Sequence, residues 1–242
     1  MLEIKNLIKY YGQTKVLEKI NLNIDKGLIV GLLGANGAGK TTLQNTIMNN
    51  LEFGGEILID GIPNDEFLNK HRNKILYLSD TPFLYEYLTG LEFVKFVLDM
   101  QKIQYKEVQQ KVDLLLKLFN LEDFKNHLIK EYSHGMKHKI ALISILVQSP
   151  KILLLDEPVS GLDTMSIIAL KKLLKSMAND GTTIIFSTHI LDLVENLCDT
   201  IIILHDNNST THNEVNKMNK SDIEKIYLDL VGNEIDLILN KI

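Results

Sequence analysis

The sequence predicts an α/β fold: a mostly parallel sheet with helices on both faces and a helical segment inserted part-way along the chain. Three observations predict it. Short runs of branched apolar residues alternate with helical periods over most of the length. One run, "LIVGLL", is continuous rather than alternating, as in a strand buried on both faces. Between about Leu88 and Leu146 only helical periods occur, with no strand among them.

The elements follow in order. Residues 2–9 and 16–24 alternate, as half-buried strands do, and 28–33 is the continuous run. The glycines after it predict a loop, and "KTTLQNTIMNN" a helix. "GGEILIDG" is a short strand between turns, and "KILYL" (74–78) is another. The helical periods then come as "LEFVKFVLDM", "VQQKVDLLLKLFNL" and "HGMKHKIALISILVQ". The core resumes with "KILLLDEP", a helix over 163–179, the strand "TTIIFST", a short helix "ILDLVENL" and the strand "TIIIL". After Leu204 the chain turns polar and Asn-rich, which predicts loop. Ser221 reads as an N-cap, with Glu224 completing a capping box for a helix over about 222–231. The expected organisation is one domain over 1–242, with a helical subdomain at 88–146 and a polar loop plus C-terminal helix at 205–242. No internal repeat is evident.

Composition narrows the function classes. The chain has 242 residues, 45% of them hydrophobic, which suffices for a large core. Its net charge of −5 provides no basic field, so nucleic acid is not an expected partner. The single cysteine, Cys198, rules out a disulfide framework and argues against a cysteine zinc site. Within "DLVENLCDTIIIL" it reads as a small core residue. The N-terminus lacks a basic head followed by an apolar run, so no signal peptide is expected. The longest apolar runs, "LIVGLLGA" and "IALISILV", fall far short of the roughly 20 residues a membrane helix needs. A soluble protein in a reducing compartment is the expectation.

Four stretches carry chemistry. "GANGAGKTT" (34–42) matches G-x-x-x-x-G-K-[ST] in full, between a predicted strand and a predicted helix, the context that the motif requires. Its glycines let backbone N–H groups converge on a polyanion at the positive end of the helix. Lys40 supplies a point charge for the β and γ phosphates, and the Thr41 hydroxyl can bind Mg²⁺. "ILLLDEP" (152–158) ends a buried strand with two carboxylates at the edge where open α/β sheets bind ligands. Asp156 there would hold the Mg²⁺ water shell, and Glu157 would polarise an attacking water. "FSTH" (186–189) ends the next strand, and His189 could reach the γ-phosphate from the side opposite Lys40. "YSHGM" (132–136) is open: a metal site, a helix cap or half of a phosphate pocket. His134 and His138 lie four residues apart, on one helix face.

Together these stretches resemble the ATP-binding cassette of ABC transporters, in that family's order and over nearly the whole chain. The resemblance implies a P-loop NTPase core of ABC type with an N-terminal antiparallel β subdomain and an inserted α-helical subdomain. "GANGAGKTT" resembles Walker A, implying nucleotide contacts at Gly34, Asn36, Gly37, Gly39, Lys40, Thr41 and Thr42. "ILLLDEP" resembles Walker B with its catalytic Glu157, and "SGLD" (160–163) the D-loop with Asp163. His189 matches the switch histidine, and Tyr11 the aromatic that stacks on adenine, its alternative being packing on Leu2 or Ile4. "YSHGM" falls where the signature LSGGQ belongs, so Ser133 and Gly135 are implied to face the γ-phosphate held by a second cassette. Zinc then fits poorly: there is no cysteine partner, and a helix N-terminus repels cations.

Two departures stand out. Tyr132, His134 and Met136 replace Leu, Gly and Gln of the common signature. In "YLSDTPFLYEYLT" (77–89), similar to the Q-loop segment Y-L-P-Q-x-x-x-L-Y, Asp80 stands at the Gln position. A carboxylate remains a hard ligand for Mg²⁺. Multidrug and bacteriocin-export cassettes of bacteria look similar here, which implies an exporter or self-immunity system. The resemblance implies an ATP hydrolase that uses ATP and Mg²⁺. It would work as a homodimer on a polytopic membrane subunit, in the cytoplasm at the inner face of the membrane. The rival is a soluble ABC ATPase serving no transporter; a P-loop kinase would leave "SHGM" and "SGLD" without a role.

Overall fold

A computed structural model describes residues 1–213, 215, 218 and 220–231. β1 (Leu2–Tyr11) and β2 (Thr14–Ile24) form an antiparallel hairpin. β1 also pairs with β4 (Gly54–Ile59), and β4 with the short β5 (Ile62–Pro63). The result is a four-stranded antiparallel sheet in the order β2-β1-β4-β5. The alternation has a plain cause. Leu17, Ile20, Leu22 and Ile24 of β2 are buried, while the residues between them are at least partly exposed.

The second sheet has six strands in the order β10-β9-β3-β8-β7-β6. These are β3 (Ile29–Gly34), β6 (Ile75–Leu78), β7 (Ile152–Asp156), β8 (Thr183–Ser187), β9 (Thr200–His205) and β10 (Asn208–Asn213). All neighbours run parallel except the β9–β10 hairpin. Both faces are buried, and β7 shows how. Ile152 and Leu154 pack with the antiparallel sheet, Leu153 and Leu155 with the helices on the other side. Each such side chain contributes about 1.5–3 kcal/mol of transfer free energy, and that double burial is why the strand reads as an unbroken apolar run.

α1 (Lys40–Ile47) follows β3. α2 (Asn64–His71) precedes β6, and between β6 and β7 come α3 (Gly90–Met100), α4 (Tyr105–Leu118) and α5 (His134–Leu146). Thr89 caps α3 in a full capping box: its hydroxyl accepts from the Glu92 amide at 3.2 Å, and the Glu92 carboxylate accepts from the Thr89 amide at 2.8 Å. Phe93, Leu98, Leu116 and Ile140 join one core with Leu76, Leu153 and Phe186 of the sheet, so these helices share the core of the strands. α6 (Thr164–Asn179), α7 (Leu191–Leu197) and α8 (Lys220–Val231) complete the fold.

Three features differ from the sequence expectation. α2 (Asn64–His71) had no counterpart there, because its helical signal is electrostatic. Asp65 and Glu66 lie in its first turn, Lys70 and His71 in its last, and Glu66 pairs with Lys70 at 2.6 Å. The polar stretch after Leu204, expected as loop, contains β10. Asp206 and Asn207 at its tip have φ of 46° and 63°, the signs a two-residue type I′ hairpin requires. Six ladder positions to β9 then supply what periodicity does not. Ser221 is not the N-cap of α8: the helix already includes Lys220, whose ammonium bonds Asp192 of α7 at 2.8 Å. Residues 214, 216–217, 219 and 232–242 of the segment 205–242 lie outside the described residues.

Tyr132, one of the signature departures, is buried, and its hydroxyl donates to the Phe124 carbonyl at 2.7 Å. That hydroxyl lies where a Cβ on Gly90, the first residue of α3, would have to be. Gly90→Ala is therefore expected to cost about 1–3 kcal/mol by overpacking, read as a lower urea midpoint. In a Tyr132→Phe background the same substitution should cost less, because the clashing oxygen is gone. Equal costs in both backgrounds would show that the clash is not with the hydroxyl.

Candidate active site

The loop from β3 to α1 opens the site. Gly39 caps α1 with φ 99°, a left-handed conformation, and a Cβ there would lie 2.9 Å from Leu17 and 3.1 Å from Val16 of β2. No side chain caps α1, and its first turn holds no acid. Its leading N–H groups and positive dipole end are thus left for an anion from outside. Lys40 bends back over the loop and donates to the carbonyls of Gly34 at 2.8 Å and Ala35 at 3.0 Å. Burial pulls its ammonium below the usual lysine range, while Glu157 and Asp156 pull the other way.

The ends of β7 and β8 close the site. Asp156 is buried and pairs in register with Ser187. One of its oxygens accepts the Thr41 hydroxyl at 2.6 Å, and the other accepts the Ser187 hydroxyl at close range. Ser187 Oγ also accepts the Glu157 amide at 3.1 Å. Glu157 has φ 47°, an unusual conformation for a residue with a Cβ. Its carboxylate meets His189 Nδ1 at 3.1 Å. An ionised carboxylate only accepts, so Nδ1 carries the proton. Glu157 is 21% exposed and His189 79%, so the acid sits inside and the imidazole at the rim.

Asn36, Gly37, Gly39, Lys40, Thr41 and Thr42 share one cleft of about 310 Å³ with Asp80, Asp156 and Glu157. Gly34 lies beneath, as an acceptor for Lys40, and His189 joins through Glu157. Tyr11 is at the far end of β1 from Leu2 and Ile4, the residues its packing alternative required. It is 49% exposed, with Lys9 Nζ 5.0 Å from its ring centre, and does not line the cleft.

Ser133, Gly135 and Asp163 form a second group, and none of them lines the cleft. Ser133 is exposed and caps α5, its hydroxyl accepting from the Met136 amide at 3.3 Å. Gly135 lies so close to the loop before α6 that a Cβ on it would fall 2.5 Å from the Gly161 carbonyl oxygen. The Asp163 carboxylate is engaged within the chain: it caps α6 through the Ser166 amide at 2.9 Å and pairs with Lys139. Those contacts hold its carboxyl well below the usual carboxylate range. His134 is exposed beside Gly161, whereas His138 is buried. Among the described residues no third histidine, cysteine, aspartate or glutamate completes a metal site with His134 and His138.

Two residues near the site escaped the sequence reading. Ser187 lay within "FSTH", and its place at a strand end beside Asp156 was the available signal. Tyr77 of β6 has no role in the sequence analysis beyond a place in the strand and at the start of the Q-loop-like segment. Its phenol is pushed up to about 12, first by burial and then by the charge of Asp156. The chemistry of the cleft is that of phosphate and hard cations. Thr41, Asp156 and Asp80 offer a hydroxyl and two carboxylates, the oxygen donors that Mg²⁺ takes, so the residues present fit that ion.

The family model of the ABC transporter matches residues 17–160. The chain is 32% identical over 238 residues to the bacitracin transport ATP-binding protein BcrA of Enterococcus faecalis, spanning 97% of this chain and 76% of that protein. It is 34% identical over 207 residues to the lantibiotic transport ATP-binding protein SrtF of Streptococcus pyogenes, spanning 85% and 87%. Among solved structures, a dimeric ATP-binding cassette in a post-hydrolysis state, bound to ADP and Pi, matches with TM-score 0.78 at 30% identity, over 88% of this chain and 98% of that one. A subunit from Clostridium perfringens, part of the ABC transporter complex cbiONQ, matches with TM-score 0.75 at 30% identity, over 99% and 98%. With a phosphate loop, a magnesium-type donor set and a carboxylate–imidazole pair at the edge of its parallel sheet, the chain belongs to the ABC transporter family, as an ATP-hydrolysing cassette.

Proposed function

We propose that two copies of this chain sandwich two ATP molecules and drive a separate polytopic membrane subunit. The observation that carries the reading is the division of the site. The phosphate loop and carboxylates share one cleft, while the N-terminus of α5, with the exposed Ser133 and the half-buried Gly135, lies outside it. A two-fold axis would complete both sites at once, setting the α5 end of each copy against the other's nucleotide. The dimeric cassette with ADP and Pi among its structural neighbours supports this.

In each composite site Tyr11 would stack on adenine, and the loop amides with Lys40 and Thr42 would hold the phosphates. Thr41, Asp156 and Asp80 would hold Mg²⁺, which supplies charge neutralisation on the phosphates when bound. Glu157 accepts a proton or orients the attacking water, and the Nδ1–H of His189 fixes the direction of its carboxylate. Asp163, held by Lys139, would set the loop that faces the partner. No helix among the described residues is long and apolar enough to cross a membrane, so attachment at its cytoplasmic face would go through the membrane subunit. Relatives named for bacitracin and lantibiotic transport support a peptide antibiotic as cargo and export or self-immunity as the purpose. Co-purification of a polytopic protein from detergent-solubilised membranes tests the membrane half. Its absence would favour a soluble ABC ATPase.

Three outcomes test the chemistry. Glu157→Gln should keep ATP binding, lower kcat by about 10²–10⁴-fold and accumulate an ATP-bound dimer on size exclusion; near-normal turnover would overturn its role. Lys40→Ala and Ser133→Arg should each be inactive alone. Mixed, they form heterodimers with one site carrying both lesions and the other carrying none, so activity should reappear. Proven heterodimers that stay inactive would count against the shared site. Asp80→Ala should raise the Mg²⁺ concentration for half-maximal ATPase, and Asp80→Gln should partly reverse this. A magnesium titration unchanged in both would remove Asp80 from the ligand set.

A further inference from the structure

A buried histidine that the site leaves unused joins its two separated halves. His138 lies one turn into α5 and is 2% exposed. Its Nδ1 is 2.7 Å from the Ser160 carbonyl oxygen. A carbonyl can only accept, so Nδ1 carries the proton. Nε2 is buried with no hydrogen-bond partner among the described residues, and an N–H there would have nowhere to donate. Burial accordingly holds the ring below the usual histidine range, with the Ser160 bond and Asp80 opposing and His134 adding to the fall. The result is a neutral imidazole of fixed tautomer, clamped on one backbone oxygen.

Ser160 passes the contact on. Its amide donates to the Glu157 carbonyl at 3.0 Å. Two hydrogen bonds therefore run from α5 to the backbone of Glu157, whose left-handed φ of 47° aims its carboxylate at His189. Two other ties link α5 to this loop: the close approach of Gly135 to Gly161 and the pair of Lys139 with Asp163. Both end further along the chain, past Ser160. The histidine tie is the one that reaches the turn opening at Glu157.

We propose that His138 is a positioning residue that transmits the state of α5 to Glu157 within one subunit, and so couples the two ATP sites of a dimer. The inference rests on the composite-site reading above, in which α5 faces the partner's nucleotide while Glu157 serves its own. A small shift of α5 on meeting the partner's γ-phosphate then moves Ser160 and re-aims Glu157. A chain of packed, bonded groups between the sites can carry coupling of this kind. Here it is three residues long.

Steady-state ATPase of the full chain carrying His138→Ala or His138→Asn tests this. The asparagine amide offers an N–H near the position of Nδ1–H and does not titrate. His138→Ala should lower kcat about tenfold, as loss of a coupling contact does, and leave KM for ATP within about twofold. The proposed coupling implies a sigmoidal dependence of rate on ATP in the wild type and a hyperbolic one in His138→Ala. His138→Asn should recover kcat to within about threefold and restore the sigmoid. Wild-type kcat in His138→Ala, or an Asn variant as impaired as the Ala variant, would overturn the proposal. Hydrogen exchange at the amides of Glu157 and of residues 159–163 in the ATP-free protein gives a readout that needs no dimer. Exchange should quicken in His138→Ala and not in His138→Asn; unchanged exchange in the Ala variant would overturn the tie itself. If exchange responds as expected but Glu157→Gln forms no ATP-dependent dimer, the positioning of Glu157 stands and the composite-site reading is what fails.

Discussion

The carboxylate of Asp156 holds the site together. It is buried at the end of β7 and accepts two hydroxyls, one from α1 and one from β8. A buried charge is tolerable only when it is hydrogen-bonded, and hydroxyls on an ionised acceptor make strong bonds. These two bonds fasten the phosphate loop to two strand ends. Everything at the sheet edge is set from there. Ser187, fixed by Asp156, accepts the Glu157 amide, and this turns Glu157 into its left-handed conformation beside His189. The strained residue is kept in place by contacts on both sides of it, through its own amide and its own carbonyl.

The core makes that edge rigid. Residues of β7 alternate between two apolar clusters, so the strand cannot slip by one residue without turning both faces inside out. The same register that buries Leu153, Leu154 and Leu155 brings Asp156 to the edge opposite Ser187. Packing and chemistry are set by one alignment. The helices between β6 and β7 share this core, so α5 is held against the sheet by Ile140, Leu142 and Ile143 while Ser133 and His134 at its start stay exposed.

Much of this was legible in the sequence, because the features concerned leave a local trace. A strand buried on both faces shows as an unbroken apolar run, and a phosphate loop must spend glycines where β2 and the loop backbone approach each other. Ser133 caps α5, in keeping with the cap alternative for "YSHGM", whereas the caps at Thr89 and Asp163 have no counterpart in the sequence analysis. What was not legible depends on partners far along the chain. β10 has no apolar pattern and exists by pairing with β9. α2 is held by end charges and by Phe67, which sits in the core. Tyr132 reads as a departure from a motif until its hydroxyl is seen over Gly90. His138 reads as half of a metal pair until its ring is found turned inward onto Ser160.

The charge balance of the cleft bears directly on the proposed two-copy site. Asp80, Asp156 and Glu157 line it with Lys40 as the cation among them, and Lys40 is engaged by the carbonyls of Gly34 and Ala35. A bare polyphosphate would meet three carboxylates. At close range and an effective dielectric near 20, each such pairing is worth about 4 kcal/mol of repulsion. The helix dipole of α1 and a divalent cation on Thr41 and Asp156 would offset this, and Lys40 would have to exchange two carbonyls for phosphate oxygens. A second helix N-terminus, that of α5 with no acid in its first turn, is the natural complement to the charge that remains. Within one chain the Gly135–Gly161 contact holds that end against the loop before α6, away from its own cleft. In the proposed sandwich the neutralisation that the nucleotide still needs would come from the second copy, which would tie closure of the dimer to the presence of the γ-phosphate.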